Sequence, residues 1–111
     1  MRGTIDELGG GGFVYQYYDV HERDRHTEAL QARRLQGGGP TWEGIIYGLL
    51  RLRSPSTLGE IEFDAEGDGI AVRSRRRAAL ETIGRLVAEA KRDPAFLSEA
   101  IEVAKRDGRI E

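Results

Sequence analysis

Residues 59–74 read GEIEFDAEGDGIAVRS, and the fold turns on how this stretch is interpreted. Asp64, Glu66 and Asp68 alternate and Gly69 follows, as in the opening of a calcium-binding helix–loop–helix. Such a loop closes with a bidentate glutamate at its twelfth position, and counted from Asp64 that position is Arg75. A cation there repels calcium, and the third position is Glu rather than Asp or Asn. The flanks point elsewhere. Ile61 and Phe63 alternate with Glu60, Glu62 and Asp64, and Ile70 and Val72 alternate with Ala71 and Arg73. Period-two alternation on both sides of a Glu-Gly-Asp-Gly turn predicts a β-hairpin over about residues 59–73, with no metal.

Helical periodicity surrounds the hairpin. Downstream, Leu80, Ile83, Val87 and Ala90 line one face, with Leu86 beside them, and Ser74 stands where a cap is needed. Asp93-Pro94 is a second helix start, since aspartate caps and proline suits the first turn. Phe96, Leu97, Ala100, Ile101 and Ala104 form that helix's inner face, and Gly108 ends it. Upstream, Trp42, Ile45, Ile46, Leu49 and Leu50 make one apolar stripe after Thr41, a plausible N-cap. Gly44 and Gly48 sit four apart on it, a spacing that allows close approach of another backbone. A charged segment over 21–36 carries a further helix at 27–36, and the aromatic and β-branched run 13–20 reads as a strand. The expected class is therefore α+β: a small antiparallel sheet with helices packed on one face, in the order β-α-α-β-β-α-α. Gly9 to Gly12 cannot order cheaply, so residues 1–12 are expected to form a flexible segment ahead of one domain at 13–111.

The 111 residues include 17 basic and 19 acidic ones, and the net charge of −2 gives no general attraction to nucleic acid or anionic membranes. The absence of cysteine excludes disulfides and zinc–thiolate sites. No stretch reaches the ~20 apolar residues of a membrane span. A cytoplasmic protein is the expectation, with no cofactor.

Three local features carry possible chemistry. Glu60, Glu62 and Asp64 project from one side of a strand, and Glu66 and Asp68 extend the charge into the turn. This alternation fits the solvent side of a half-buried hairpin, and it equally fits an acidic strip that meets a basic partner. Arg73, Arg75, Arg76 and Arg77 could bind phosphate, which makes a small nucleic-acid-binding or regulatory module the alternative function. Charge balance against the neighbouring carboxylates is the simpler account, although cations in a helix's first turn oppose its dipole. His21 and His26 are five apart, which matches neither helical nor strand ligand spacing, so a small metal-dependent enzyme has little support. No catalytic constellation is visible. Tyr15 and Tyr17 share a face with Phe13 and read as core, whereas Tyr18, Arg73 and a partly exposed Trp42 are candidate anchors for a partner.

Taken together, GGGPTWEGIIYGLL, EIEFDAEGDGIAVRS and the two C-terminal helices resemble the immunity protein 51 family of bacterial polymorphic-toxin systems. The likeness rests on Gly38, Gly39, Trp42, Phe63, Asp64, Glu66, Ser74, Leu80, Asp93, Pro94 and Leu97, and spans about residues 37–104. The family pattern includes more strand near the N-terminus than this reading assigns. The resemblance implies a small cytosolic antidote, not an enzyme, that binds a cognate toxin C-terminal domain, often a nuclease, and occludes its active site or substrate entry.

Overall fold

The computed structural model describes residues 2–17, 39–65 and 69–110. Four strands form one sheet: β1 (Thr4–Glu7), β2 (Phe13–Tyr17), β3 (Ile61–Ala65) and β4 (Ile70–Ser74). Their spatial order is β1-β2-β4-β3, and every neighbouring pair is antiparallel. Among the described residues three helices accompany them: α1 (Gly39–Arg53), α2 (Arg77–Arg92) and α3 (Pro94–Arg106). A short 3₁₀ turn, Pro55–Glu60, joins α1 to β3. The α+β class and the hairpin are as the alternation predicts.

Period two explains which face of the sheet is buried. The register sets Ile5, Tyr15, Val72 and Phe63 in one row, flanked by rows Phe13–Ser74–Ile61 and Tyr17–Ile70–Ala65. Apart from Ser74, these side chains belong to or pack against the core. Helix α1 lies against β3 and β4, α2 lies over β1, β2 and β4, and α3 packs on both helices. Trp42, Ile45, Ile46, Leu49 and Leu50 are all at most 1% exposed, so the predicted stripe is the inward face. The inner positions expected for α2 and α3 are likewise buried.

Gly48 explains how α1 and α3 come so close. A Cβ placed on it would lie 2.1 Å from the carbonyl oxygen of Ala100, so the two backbones touch where a side chain would stand. At Asp93 the side-chain Oδ1 accepts from the N–H groups of Ala95 and Phe96, the capping that Asp-Pro predicts.

Four local expectations change. Residues 4–7 are a paired strand rather than part of a flexible segment. Gly10 and Gly11, at φ 91° and 90°, turn the chain so that β1 returns along β2, and Leu8 N–H donates to Gly12 O at 2.7 Å. Glycine makes this turn because it alone adopts positive φ without strain. Gly3, at φ 86°, leaves room for the Tyr15 ring, whose hydroxyl donates to Arg2 O at 2.7 Å. Second, α1 starts at Gly39, ahead of Thr41, because Pro40 already has helical φ and no N–H to satisfy; Thr41 is inside the helix and fully buried. Third, Ser74 does not cap α2 directly. Its Oγ donates to Glu60 O at 2.8 Å and accepts from Arg76 N–H at 3.0 Å, tying the end of β4 to the 3₁₀ turn. Fourth, Trp42 is 1% exposed and packs edge-on against Tyr17, with ring centroids 5.0 Å apart, so it is core and not a surface anchor. The helix expected at 27–36 lies outside the described residues.

Candidate partner-binding surface

The alternation that buries one face of the sheet leaves the other uncovered by any described element. Its two rows are Asp6–Val14–Arg73–Glu62 and Thr4–Gln16–Ala71–Asp64. Asp6, Glu62, Asp64, Arg73 and Thr4 are exposed, Val14 and Gln16 are half-buried, and Ala71 is shielded between its cross-strand neighbours. Among the described residues this face is therefore mostly polar and exposed.

The acidic strip is reshaped by tertiary contacts. Glu62 and Asp64 do share the open face. Glu60 does not, because it closes the 3₁₀ turn rather than extending β3. Its carboxylate accepts from Arg76 at 3.2 Å. Arg73 stands opposite Glu62 in register and donates to Asp64 Oδ2 at 3.3 Å. Both side chains of that ion pair are at least half exposed, so it is weak and can be exchanged for a partner's charges. With Asp6, the face carries three carboxylates against one guanidinium among the described residues. Glu66, Asp68, Tyr18, His21 and His26 lie outside the described residues.

The arginine run does not form one phosphate-binding cluster. Arg73 projects from the sheet, and α2 starts only at Arg77, so Arg75 and Arg76 precede the helix. Arg76 pairs with Glu60, and Arg77 pairs with Glu81 at 3.8 Å while lying over the Phe13 ring. Charge balance accounts for three of the four. At the end of the sheet a cleft of about 470 Å³ is lined by Leu8, Phe13, Glu60, Ile61, Glu62 and Arg73, among others. Leu8 is one of two large apolar side chains that stand exposed among the described residues.

A second polar cluster, not singled out by sequence, joins α1 to the end of α3. The Tyr47 hydroxyl donates to Asp107 Oδ2 at 2.7 Å, Arg51 and Arg106 approach the same carboxylate at 3.7 and 3.6 Å, and Arg109 lies over the Tyr47 ring. The hydrogen bond from Tyr47, followed by the charges of Arg106 and Arg51, holds Asp107 below the usual carboxylate range, with partial burial acting against them. The same bond, aided by burial and by the charge of Asp107, raises Tyr47 above an ordinary phenol. No sequence spacing signals this cluster, since Tyr47 and Asp107 are 60 residues apart. It fastens the chain end to α1 and explains why Gly44, whose Cβ would meet Arg109 O at 2.7 Å, is glycine.

Among the described residues no three His, Cys, Asp or Glu side chains gather as a metal site, and no helix is long and apolar enough to cross a membrane. The family model for immunity protein 51 matches residues 15–106. That span takes in Tyr15–Tyr17 of β2, a strand which the motif-based resemblance over 37–104 leaves out. No curated protein and no solved structure matches this chain.

Proposed function

The chain belongs to the immunity protein 51 family, and from that premise we propose that it binds a cognate bacterial toxin domain and neutralises it by covering its active site or substrate entry. The family match is the observation that carries this reading. The protein acts by occupancy, in the cytoplasm of the cell it protects, and needs neither catalysis nor a cofactor. The geometry that supports it best is the open sheet face. Glu62 and Asp64 are exposed there, and Arg73 is held by a weak pair that a partner can replace. An acidic face suits a basic toxin surface, as on a nuclease, and opposite charge speeds association when free toxin is lethal. A stable complex buries roughly 1,200–2,000 Å² in total. The sheet face with its end cleft supplies the centre of such a footprint, with Glu60, Glu62, Asp64 and Arg73 at its acidic side and Glu66 and Asp68 continuing it along the chain.

The test has two stages. The immobilised protein is exposed to lysate of the producing bacterium in moderate salt, and a captured toxin domain is then purified and assayed with and without stoichiometric protein. Inhibition at a one-to-one ratio is the expected result. Replacing Glu62 and Asp64 with Lys should weaken binding by about tenfold or more. Unchanged affinity in the folded variant removes the open face as the contact, and a captured domain that stays active removes the antidote reading.

A further inference from the structure

We infer that the outer edge of β3 is a docking edge for a strand of the partner, one bearing Lys or Arg at alternate positions. The inference rests on the reading that a protein partner docks at this sheet, and it specifies how. Among the described residues strand β3 pairs with β4 on one side only. In an antiparallel ladder alternate residues point their N–H and C=O groups to opposite sides, so part of the backbone of Ile61–Ala65 faces outward. No other backbone among the described residues takes those groups. Edges of this kind recruit strands unless they are blocked.

The side chains decide what is recruited. On the inner side Ile61, Phe63 and Ala65 pack against the core yet stay only half-buried, because β3 is the last of the described strands on that side. An added strand would extend that apolar row and cover it. The opposite edge, β1, offers less, since only Ile5 of its four residues is even half-buried. On the outer side Glu62 and Asp64 are exposed along the edge. Directly opposed residues of an antiparallel pair share a face. Two copies of β3 would therefore set Glu62 or Asp64 of one against Glu62 or Asp64 of the other in every register that keeps Phe63 inward. Like charges so placed repel, which guards the edge against its own copies. A strand with basic residues at these positions meets the reverse situation. The occupant is thus an alternating basic and apolar strand of another protein.

The test uses the full chain, ¹⁵N-labelled, and two synthetic peptides of alternating pattern: Thr-Lys-Val-Lys-Val-Lys-Thr and its counterpart with Glu for Lys, both with blocked ends. The lysine peptide should shift the amide signals of residues 61–65 at up to about 1 mM. It should bind about tenfold more tightly than the glutamate peptide at low salt, from two or three cross-strand charge pairs, and the gap should narrow as salt rises. In the double variant Glu62→Lys, Asp64→Lys the preference should invert. No shift at 61–65, shifts centred on β1 or the arginines instead, or equal binding of both peptides would overturn the inference. Toxin capture by a protein whose β3 amides ignore the lysine peptide would leave the antidote reading standing and remove strand addition alone.

Discussion

Gly48→Ala provides a sharp test of the packing argument, because two effects of opposite sign meet at one methyl group. Alanine favours a helix over glycine by about 1 kcal/mol, so in an open position this change stabilises. At Gly48 the new Cβ lies 2.1 Å from the carbonyl oxygen of Ala100 and 2.7 and 2.9 Å from that residue's carbonyl carbon and Cα. Carbon–oxygen contacts settle near 3.3 Å, so α3 must retreat from α1 by about 1.2 Å. The obstacle is backbone on both sides and cannot rotate away. Retreat loosens α3 along its buried face, which includes Leu97, Ala100, Ile101 and Ala104. Overpacking costs typically 1–3 kcal/mol, and rigid backbone places this case at or above the top of that range. The net loss after the helix gain is about 2–3 kcal/mol, or roughly 10–20 °C in Tm for a domain of this size. The assay is thermal unfolding followed by circular dichroism at 222 nm. The control is Gly59→Ala, where nothing lies within 4 Å of the added Cβ and the change should be nearly neutral. A Gly48→Ala protein that melts at or above the parent would refute the close approach and with it the account of how α1 and α3 pack.

Three further outcomes are expected. Asp93→Ala removes the acceptor for two N–H groups at the start of α3 and should cost about 1 kcal/mol in urea unfolding, whereas Asp93→Ser should restore most of it. Trp42→Phe should lower stability by about 1–3 kcal/mol yet leave the affinity of the folded protein for its captured toxin unchanged, since Trp42 is core; a selective loss of affinity would return it to the interface. Tyr47→Phe bears on pH. The raised phenol stabilises the fold below about pH 10 and ceases to do so as pH rises through its folded value, and the lowered Asp107 stabilises above about pH 4 and ceases as pH falls through its own. The variant should therefore be less stable than the parent between those limits, with the difference shrinking at both ends; a constant difference from pH 3 to 11 would contradict the Tyr47–Asp107 bond.

The elements legible in sequence are those whose signal repeats within a few residues. Alternation around Phe63 and Val72 fixed a hairpin, the stripe from Trp42 to Leu50 fixed a helix and its face, and Asp93-Pro94 marked a start, because one buried side imposes its period on the chain. Gly44 and Gly48 announced a close contact without saying with what, which here is the end of the chain and α3. Strand β1 escaped notice because Thr4–Glu7 holds a single apolar residue, too short a run to show a period. Its pairing is made by the free edge of β2, by a glycine turn and by a hydrogen bond from Tyr15, all contributed from elsewhere in the chain. Likewise, sequence can place Glu62, Asp64 and Arg73 on one side of a hairpin, but only register brings Arg73 between the carboxylates and only the placement of the helices leaves that side open. Burial period is a local property of a chain, written in its order of residues. Which edge stays unpaired, which face stays bare and which distant charges meet depend on the packing of all the elements together, and those properties shape the surface a partner would encounter.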